Sequence, residues 1–265
     1  MQVSAYIPSY NSRATIVEAV NSIQAQTRAV NELFVVDNGS TDNSAELVES
    51  MGVRVIRLAG SGGRGRSRAR AMEEARYPLV LCCDSAISLP PDFLAKAERW
   101  FEDEAVGAVC GRISQEMART AADRWRGRHL FRTHRRMELE EHADFTTGGA
   151  MVRASAVLDA GGYDAGLEHG EDADLGRRLT ERGMKVVFDP ALIYYQLGSN
   201  SMGKVLERYW RWNRARGRLD FLTYLRQIKY SVTVMAREDM ETADIGAALI
   251  SLVSPHYQFW KDRGE

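Results

Sequence analysis

Leu79-Val80-Leu81-Cys82-Cys83-Asp84 is an apolar run of strand length that stops on a carboxylate. The same layout precedes it twice. Gln2–Ile7 is a short apolar strand ending at Pro8, with Asn11-Ser12 as a turn and helix cap, and Glu32–Val36 is a strand ending at Asp37. Between them, Ala14–Gln26 shows helical spacing through Ile16, Val20 and Ile23, and Ser44–Ser50 reads as a short helix. Val53–Leu58 adds a third strand, followed by a glycine-arginine loop and a helix over Ser67–Arg76. Strands and helices alternating at this pitch predict an α/β protein with a doubly wound, mostly parallel sheet. Ligands of such sheets bind beyond the carboxyl ends of the strands. Pro8–Asn11, Asp37–Ser40 and Asp84–Ser88 converge there.

Downstream the pattern loosens. Asp92–Phe101 reads as a helix, Val106–Gly111 as a strand and Arg112–His142 as a long polar stretch rich in arginine. Phe145–Arg153 reads as a strand entered through a Thr-Thr-Gly-Gly turn. Glu171–Arg182 is a helix with Leu175 and Leu179 one turn apart, and Val186–Asp189 resumes a strand. From Lys204 onward the chain reads as helices, so the expected organisation is a domain over residues 1–203 and a helical C-terminal extension over residues 204–265. There is no internal repeat.

Composition sets the class. The 265 residues are 45% hydrophobic and 27% charged, which describes an ordinary globular protein rather than a disordered one. A net charge of −1 hides arginine clusters at Arg64–Arg76, Arg112–Arg136 and Arg208–Arg218. These would attract an anionic ligand or, for the last two, form solvated helix faces. No nucleic-acid partner is expected. Cys82, Cys83 and Cys110 have no metal spacing and read as buried thiols of a reducing compartment. With no signal segment and no apolar run near the ~20 residues that span a bilayer, a cytoplasmic location is expected, including the inner face of the cell membrane.

Several positions could carry chemistry. Asp37 can accept from a base or ribose, or be an ordinary turn residue of Asp37-Asn38-Gly39-Ser40-Thr41-Asp42. Asp84 can face a ligand or metal, or cap its turn. Gly60-Ser61-Gly62-Gly63-Arg64-Gly65-Arg66-Ser67 suits phosphate binding at a helix start and lies within one residue of the phosphate-loop pattern, with Arg66 in the lysine place. That keeps an NTPase reading open. Glu171-Asp172 begin a helix, where the positive helix end holds a carboxylate ionised, as a general base requires. Asp174 is better explained as a helix stabiliser. His129, His134 and His142 read as solvated helix residues.

In order and spacing over Met1–Ser201, these stations resemble the family 2 glycosyltransferases, which have the GT-A fold. Ile7-Pro8-Ser9-Tyr10-Asn11 is similar to their opening element. Val35–Asp42 is similar to their Val-Asp-Asp-Gly-Ser-x-Asp strand end, with Asn38 in the second acidic place. Ser67-Arg68-Ala69 resembles their Ala-Arg-Asn helix start. Gly148-Gly149-Ala150-Met151, Gly161–Asp164 and Glu171–Leu175 resemble their acceptor-side pattern. The resemblance implies an inverting transfer of a sugar from a nucleotide diphosphate donor to a hydroxyl of a glycan or lipid-linked acceptor. Pro8, Tyr10, Asn11, Asp37 and Arg68 would line the nucleotide site, Asp84 the diphosphate, and Gly148, Gly149 and Glu171 the acceptor side. Asp172 would be the base. Two positions depart from the family. Its Asp-x-Asp metal motif is Asp84-Ser85-Ala86 here, and the histidine after its last strand is Gln196. The cofactor is then either Mg²⁺ or Mn²⁺, held weakly by Asp84 and substrate phosphates, or none. Arg64, Arg66, Arg68 and Arg70 are the nearest cations for a leaving diphosphate, with Arg66 and Arg68 expected to touch it. A relative that binds nucleotide or glycan without turnover is the alternative, and the NTPase reading comes third.

The C-terminal helices carry Tyr209-Trp210-Arg211-Trp212 among Arg208, Arg214, Arg216 and Arg218, followed by Phe221, Leu222 and Leu225. Interfacial aromatics with cations suit an anionic membrane surface; the other reading is a helix packed on the catalytic domain.

Overall fold

A computed structural model describes residues 1–60, 62–114, 118–214 and 220–264. The chain forms two compact units, Met1–Ser114 with Met137–Gly198, and Gln115–Arg136 with Ser199–Glu265. The polar stretch after Ser114 thus groups with the C-terminal helices.

The first unit is an α/β layer built on β1 (Val3–Ser9), α1 (Ile16–Gln24), β2 (Glu32–Asp37), α2 (Ser44–Ser50), β3 (Arg54–Arg57), α3 (Arg64–Glu74) and β4 (Leu79–Cys83). It continues through β5 (Ile87–Ser88), α4 (Phe93–Ala97), a 3₁₀ turn (Glu98–Glu102) and β6 (Val106–Ser114). After the segment in the other unit, which holds α5 (Ala121–His129), come β7 (Gly149–Arg153), α6 (Ala154–Asp159), α7 (Glu171–Glu181) and β8 (Lys185–Gln196). The sheet order is β3-β2-β1-β4-β7-β6-β8-β5. Pairing is parallel through β3, β2, β1 and β4; β7 runs antiparallel to both β4 and β6, and β5 antiparallel to β8. The expected mostly parallel sheet is parallel in its first half and mixed in its second. The strand-helix alternation that enforces parallel crossovers ends at β4, so β7 is free to return the other way.

Burial follows this layout. β4 lies between β1 and β7, and all five of its residues are buried, as expected of a strand covered on both faces. Edge strand β3 exposes Arg54, which pairs with Glu32 and Glu74, and Arg57, which pairs with Glu46 and Glu49. Charge of this kind blunts an edge against further pairing. Ile16, Val20 and Ile23 of α1 are buried, as their spacing predicts, and so are all three cysteine thiols.

Several boundaries differ from the sequence reading. β8 passes through Pro190 to Gln196 instead of stopping at Asp189. The register slips between Cys110↔Phe188 and Arg112↔Ile193, so the proline sits in an irregularity rather than a regular ladder. Gly111 permits it: a Cβ there would lie 2.0 Å from the Leu192 carbonyl oxygen. β7 starts at Gly149, whereas Phe145 is a buried plug packed against Gly176 of α7. Helix α3 starts at Arg64, three residues early.

The second unit joins α5 to α8 (Met202–Arg214), α9 (Phe221–Tyr230), a π turn (Ser231–Met235), α10 (Ala236–Glu241) and α11 (Ile245–Gly264). Thr120 and Asp123 form a capping box on α5. Trp125 is fully buried, edge-on to Tyr209, and donates Nε1–H to Ser251 Oγ at 2.8 Å. Asp239, wholly buried, accepts from Arg128, from His129 Nε2 at 2.8 Å and from Ser251 Oγ at 2.6 Å. His129 is therefore a core histidine and not the solvated helix residue expected. His134 and His142 are exposed. Pro255 lies inside α11, where it cannot donate to the Ser251 carbonyl. Ser231 Oγ at 2.5 Å and Ser254 Oγ at 2.9 Å satisfy that oxygen instead.

Candidate donor and acceptor site

The strand order reverses between β1 and β4, and their carboxyl ends open a crevice where such sheets take ligands. A cleft of about 430 Å³ lies there, walled by Pro8, Tyr10, Asn38, Arg64, Asp84 and His169 among others. Tyr10 is 53% exposed, an aromatic face at the cleft wall. Asp37 ends β2 opposite Ser9 and is 3% exposed. Its Oδ2 accepts from the Ser40 amide at 3.1 Å, while Oδ1 is buried with no hydrogen-bond partner. A buried acceptor of that kind calls for a donor group. Asn11 is outside the cleft wall. It adopts φ 46°, and its Oδ1 accepts from the Thr41 amide at 2.9 Å, bracing the first strand loop against the second.

Asn38, in the family's second acidic place, clamps the glycine-arginine loop. Its Oδ1 accepts from the Gly62 amide at 3.1 Å and its Nδ2 donates to the Gly62 carbonyl. A carboxylate could do the first and not the second. Beyond Gly62 the loop lies directly on the backbone of residues 164–168. A Cβ on Gly63 would come within 2.4 Å of Glu168 Cα, and one on Gly65 within 2.0 Å of the Asp164 oxygen. The Gly65 amide donates to Leu167 O at 3.1 Å and the Arg64 amide to Glu168 O at 3.4 Å. These carbonyls occupy helix-start amides that a phosphate loop would need, which removes the NTPase reading. Ser61 of that motif lies outside the described residues.

The loop arginines separate into different roles. Arg66 Nη1 donates to Ala59 O at 2.9 Å, and Arg70 pairs with Glu73 and Glu74. Arg68 is fully buried: Nη2 meets Asp84 Oδ1 at 2.7 Å, Nε meets Glu171 Oε1 at 3.0 Å, and Nη1 donates to the Tyr6 hydroxyl at 3.3 Å. Burial disfavours its charge, but Tyr6, Asp84, Tyr163 and Glu171 together hold its pKa well above the ordinary arginine value. Burial pushes the Tyr6 and Tyr163 hydroxyls up as well. Arg68 thus links the end of β4 to the start of α7. Gly170, left-handed at φ 79°, lets the chain enter α7, Glu171 is buried, and Asp172 follows half-buried with Oδ1 accepting from the Ala173 amide at 2.9 Å. Asp174 is held below the usual carboxylate range, chiefly by its hydrogen bond from Arg178, which also binds the Ala160 and Gly162 carbonyls. Tyr6, Glu168 and His169 escape sequence reading because only tertiary packing brings them here.

Gly148 and Gly149 make room for Tyr194: a Cβ would lie 2.6 Å from its hydroxyl oxygen or 2.8 Å from its ring. The Gly148 carbonyl accepts from the Asp84 amide at 3.3 Å. Opposite, Gln196 Nε2 donates to the Ala86 carbonyl at 2.9 Å. The two positions that depart from the family's metal pattern are bonded to each other. Among the described residues no three His, Cys, Asp or Glu side chains come together to hold a metal. The residues present do not fit a resident divalent cation.

The fold and cleft define the class, and the comparisons agree. The chain matches the family model for glycosyl transferase family 2 over residues 4–160. It belongs to that family. It is 26% identical over 274 residues to an N-acetylglucosaminyltransferase of Mesorhizobium japonicum, covering 94% of this chain and 63% of the relative. To a poly-β-1,6-N-acetyl-D-glucosamine synthase of Staphylococcus aureus it is 22% identical over 253 residues, covering 90% and 61%. The chain thus spans less than two thirds of the length of these curated relatives. Staphylococcus aureus TarS in complex with UDP-GlcNAc superposes with a TM-score of 0.64 at 15% identity, covering 100% of this chain and 93% of that one. The mannosyltransferase PcManGT of Pyrobaculum calidifontis, in complex with GDP-Man and Mn²⁺, gives 0.64 at 18% identity, covering 96% and 73%. The fold is GT-A.

Proposed function

We propose that this chain transfers a sugar from a nucleoside diphosphate donor to a hydroxyl acceptor. The observation that carries the reading is Asp37 Oδ1, buried without a partner at the end of β2. Asp37 is outside the cleft wall, one residue before Asn38, which lines the cleft together with exposed Tyr10. A base or ribose N–H or O–H would satisfy that oxygen while stacking on the tyrosine. Asp172 is the general base. Glu171, its neighbour, is tied through Arg68 to Asp84, so donor and acceptor halves share one buried connection. Asp172 takes the acceptor proton, the oxygen forms the new bond to the anomeric carbon, and the nucleoside diphosphate leaves with the electrons of the old one, inverting the centre. Gly148 and Gly149 act through Tyr194, which they allow to approach. A thermal-shift panel of UDP, GDP and their sugars tests this: a bound donor at 100 times its Kd adds about 2.7 kcal/mol of apparent stability. No shift with any member would overturn it.

We further infer that the acceptor is met at an anionic membrane surface. No helix among the described residues is long and apolar enough to cross a bilayer. In the Tyr209–Trp212 segment Trp210 is buried and bonded to Asp262 at 2.6 Å, while Trp212 is 50% exposed and edge-on to Phe131. The side chain of Arg214, and Arg216 and Arg218, lie outside the described residues. Support comes instead from α11, which exposes Ile245, Leu249, Leu252, Val253 and Trp260 along one face, and from α9, which exposes Phe221, Leu222 and Leu225 beside Arg226 and Lys229. Apolar anchors flanked by cations suit anionic headgroups.

A further inference from the structure

In place of the paired metal ligands that its family carries, this chain has a closed hydrogen-bond clamp. The carbonyl of Ala86 receives Gln196 Nε2 at 2.9 Å and the Leu197 amide at 2.8 Å, which fills both lone pairs of an oxygen that could otherwise bind a cation. Gln196 Nε2 also donates to Leu197 O at 2.8 Å, so the side chain is turned with its nitrogen, which has no lone pair to offer a metal, toward the Ala86 turn. Its neutral Oε1 is a weaker cation ligand than an imidazole or carboxylate. Pairing of Ile87 with Gln196 in the sheet locks the two together. Asp84, the remaining carboxylate, already spends Oδ1 on Arg68. A leaving diphosphate still needs a positive charge. Arg68 is buried between Asp84 and Glu171, Arg66 bonds a backbone carbonyl, and Arg70 faces glutamates. Arg64 differs: like Arg68 it lines the cleft, but it is exposed and makes no ion pair among the described residues.

We propose that the donor site works without a resident divalent cation and that Arg64 supplies the charge facing the diphosphate. The assignment of Arg64 rests on the donor reading of the cleft; the absence of a cation site does not. Guanidinium pairs bidentately with phosphate oxygens and keeps its charge at any working pH. The Ala86–Gln196 clamp ties the Asp84–Ala86 turn to the end of β8.

Two titrations on the purified full chain decide this. In the first, Mn²⁺ alone is followed by electron paramagnetic resonance. The wild type should show no micromolar site, and the Ala86→Asp, Gln196→His double variant should gain one. In the second, UDP and GDP binding is measured calorimetrically in EDTA and in excess Mn²⁺. The wild-type affinity should be the same in both. Arg64→Ala should lose about tenfold or more for the diphosphate, which is ~1.4 kcal/mol, and nothing for the bare nucleoside. A micromolar Mn²⁺ site in the wild type, diphosphate binding that requires Mn²⁺, or unchanged diphosphate affinity in Arg64→Ala would overturn the proposal. A wild type that binds neither nucleotide would overturn the donor reading and the role of Arg64 with it, while the Mn²⁺ titration would still decide the cation.

Discussion

Arg68 Nε and Glu171 Oε1 stand 3.0 Å apart with 1% and 3% of their side chains exposed, joining residues 103 positions apart in the chain. Removing one member strands the other as a buried charge, which typically costs ~3–5 kcal/mol. Arg68→Ala should therefore lower unfolding stability by about that amount in urea titrations. Arg66→Ala, at a partly exposed site bonded to one carbonyl, should stay within ~0.5 kcal/mol. Equal stability of the two variants would refute the positioning role of Arg68.

Asp172→Asn keeps the shape of the side chain and its bond from the Ala173 amide but cannot take a proton. Transfer should fall by ~10²–10⁴, with the nucleotide diphosphate Kd unchanged. Stopped-time assays of product together with calorimetry would check both halves. Near-normal turnover would remove Asp172 from the base position.

The helical unit should be sensitive to acid. Burial opposes ionisation of Asp239, yet bonds from His129, Ser251 and Arg128 outweigh it and hold the carboxyl below its ordinary value. A depressed carboxylate stabilises the fold above the unfolded-state pKa, and that contribution drains away as pH falls through the folded one. Stability should thus decline below about pH 4. Asp239→Asn should flatten that part of the curve while lowering stability at neutral pH. An unchanged acid limb, followed by circular dichroism, would count against this.

How much of this was legible depends on the range of the interaction. Asp37 and Asp84 were visible because each ends an apolar run, and Leu175 and Leu179 because helical spacing is local. The role of Arg68 was not: a helix-start arginine after a glycine-rich loop reads as a phosphate ligand, and its partners come from β1, the end of β4 and α7. His129 looked solvated because its partner Asp239 lies 110 residues away. Pro190 looked like a strand end because the slip that accommodates it depends on β6. The substitutions at positions 86 and 196 were readable as losses, and their bond to each other was not.

Membrane contact can be read from vesicles. The protein should co-sediment with phosphatidylglycerol-containing liposomes, less so as salt rises, and hardly with pure phosphatidylcholine. Leu249→Glu with Trp260→Glu, both on exposed positions of α11, should abolish sedimentation and leave the fold intact. No sedimentation of the wild type would sink the membrane reading.

The clamp of Asn38 on Gly62 bears on how this sequence can be engineered. A consensus design would write aspartate at position 38, because the family's pattern has an acid there. Here that exchange would set a carboxylate against the Gly62 carbonyl that Asn38 now donates to, and repulsion would replace one of two bonds. The usual rule, that moving a residue toward its family average strengthens a protein, reverses at this position. Any redesign of the site has to carry the loop along with the residue.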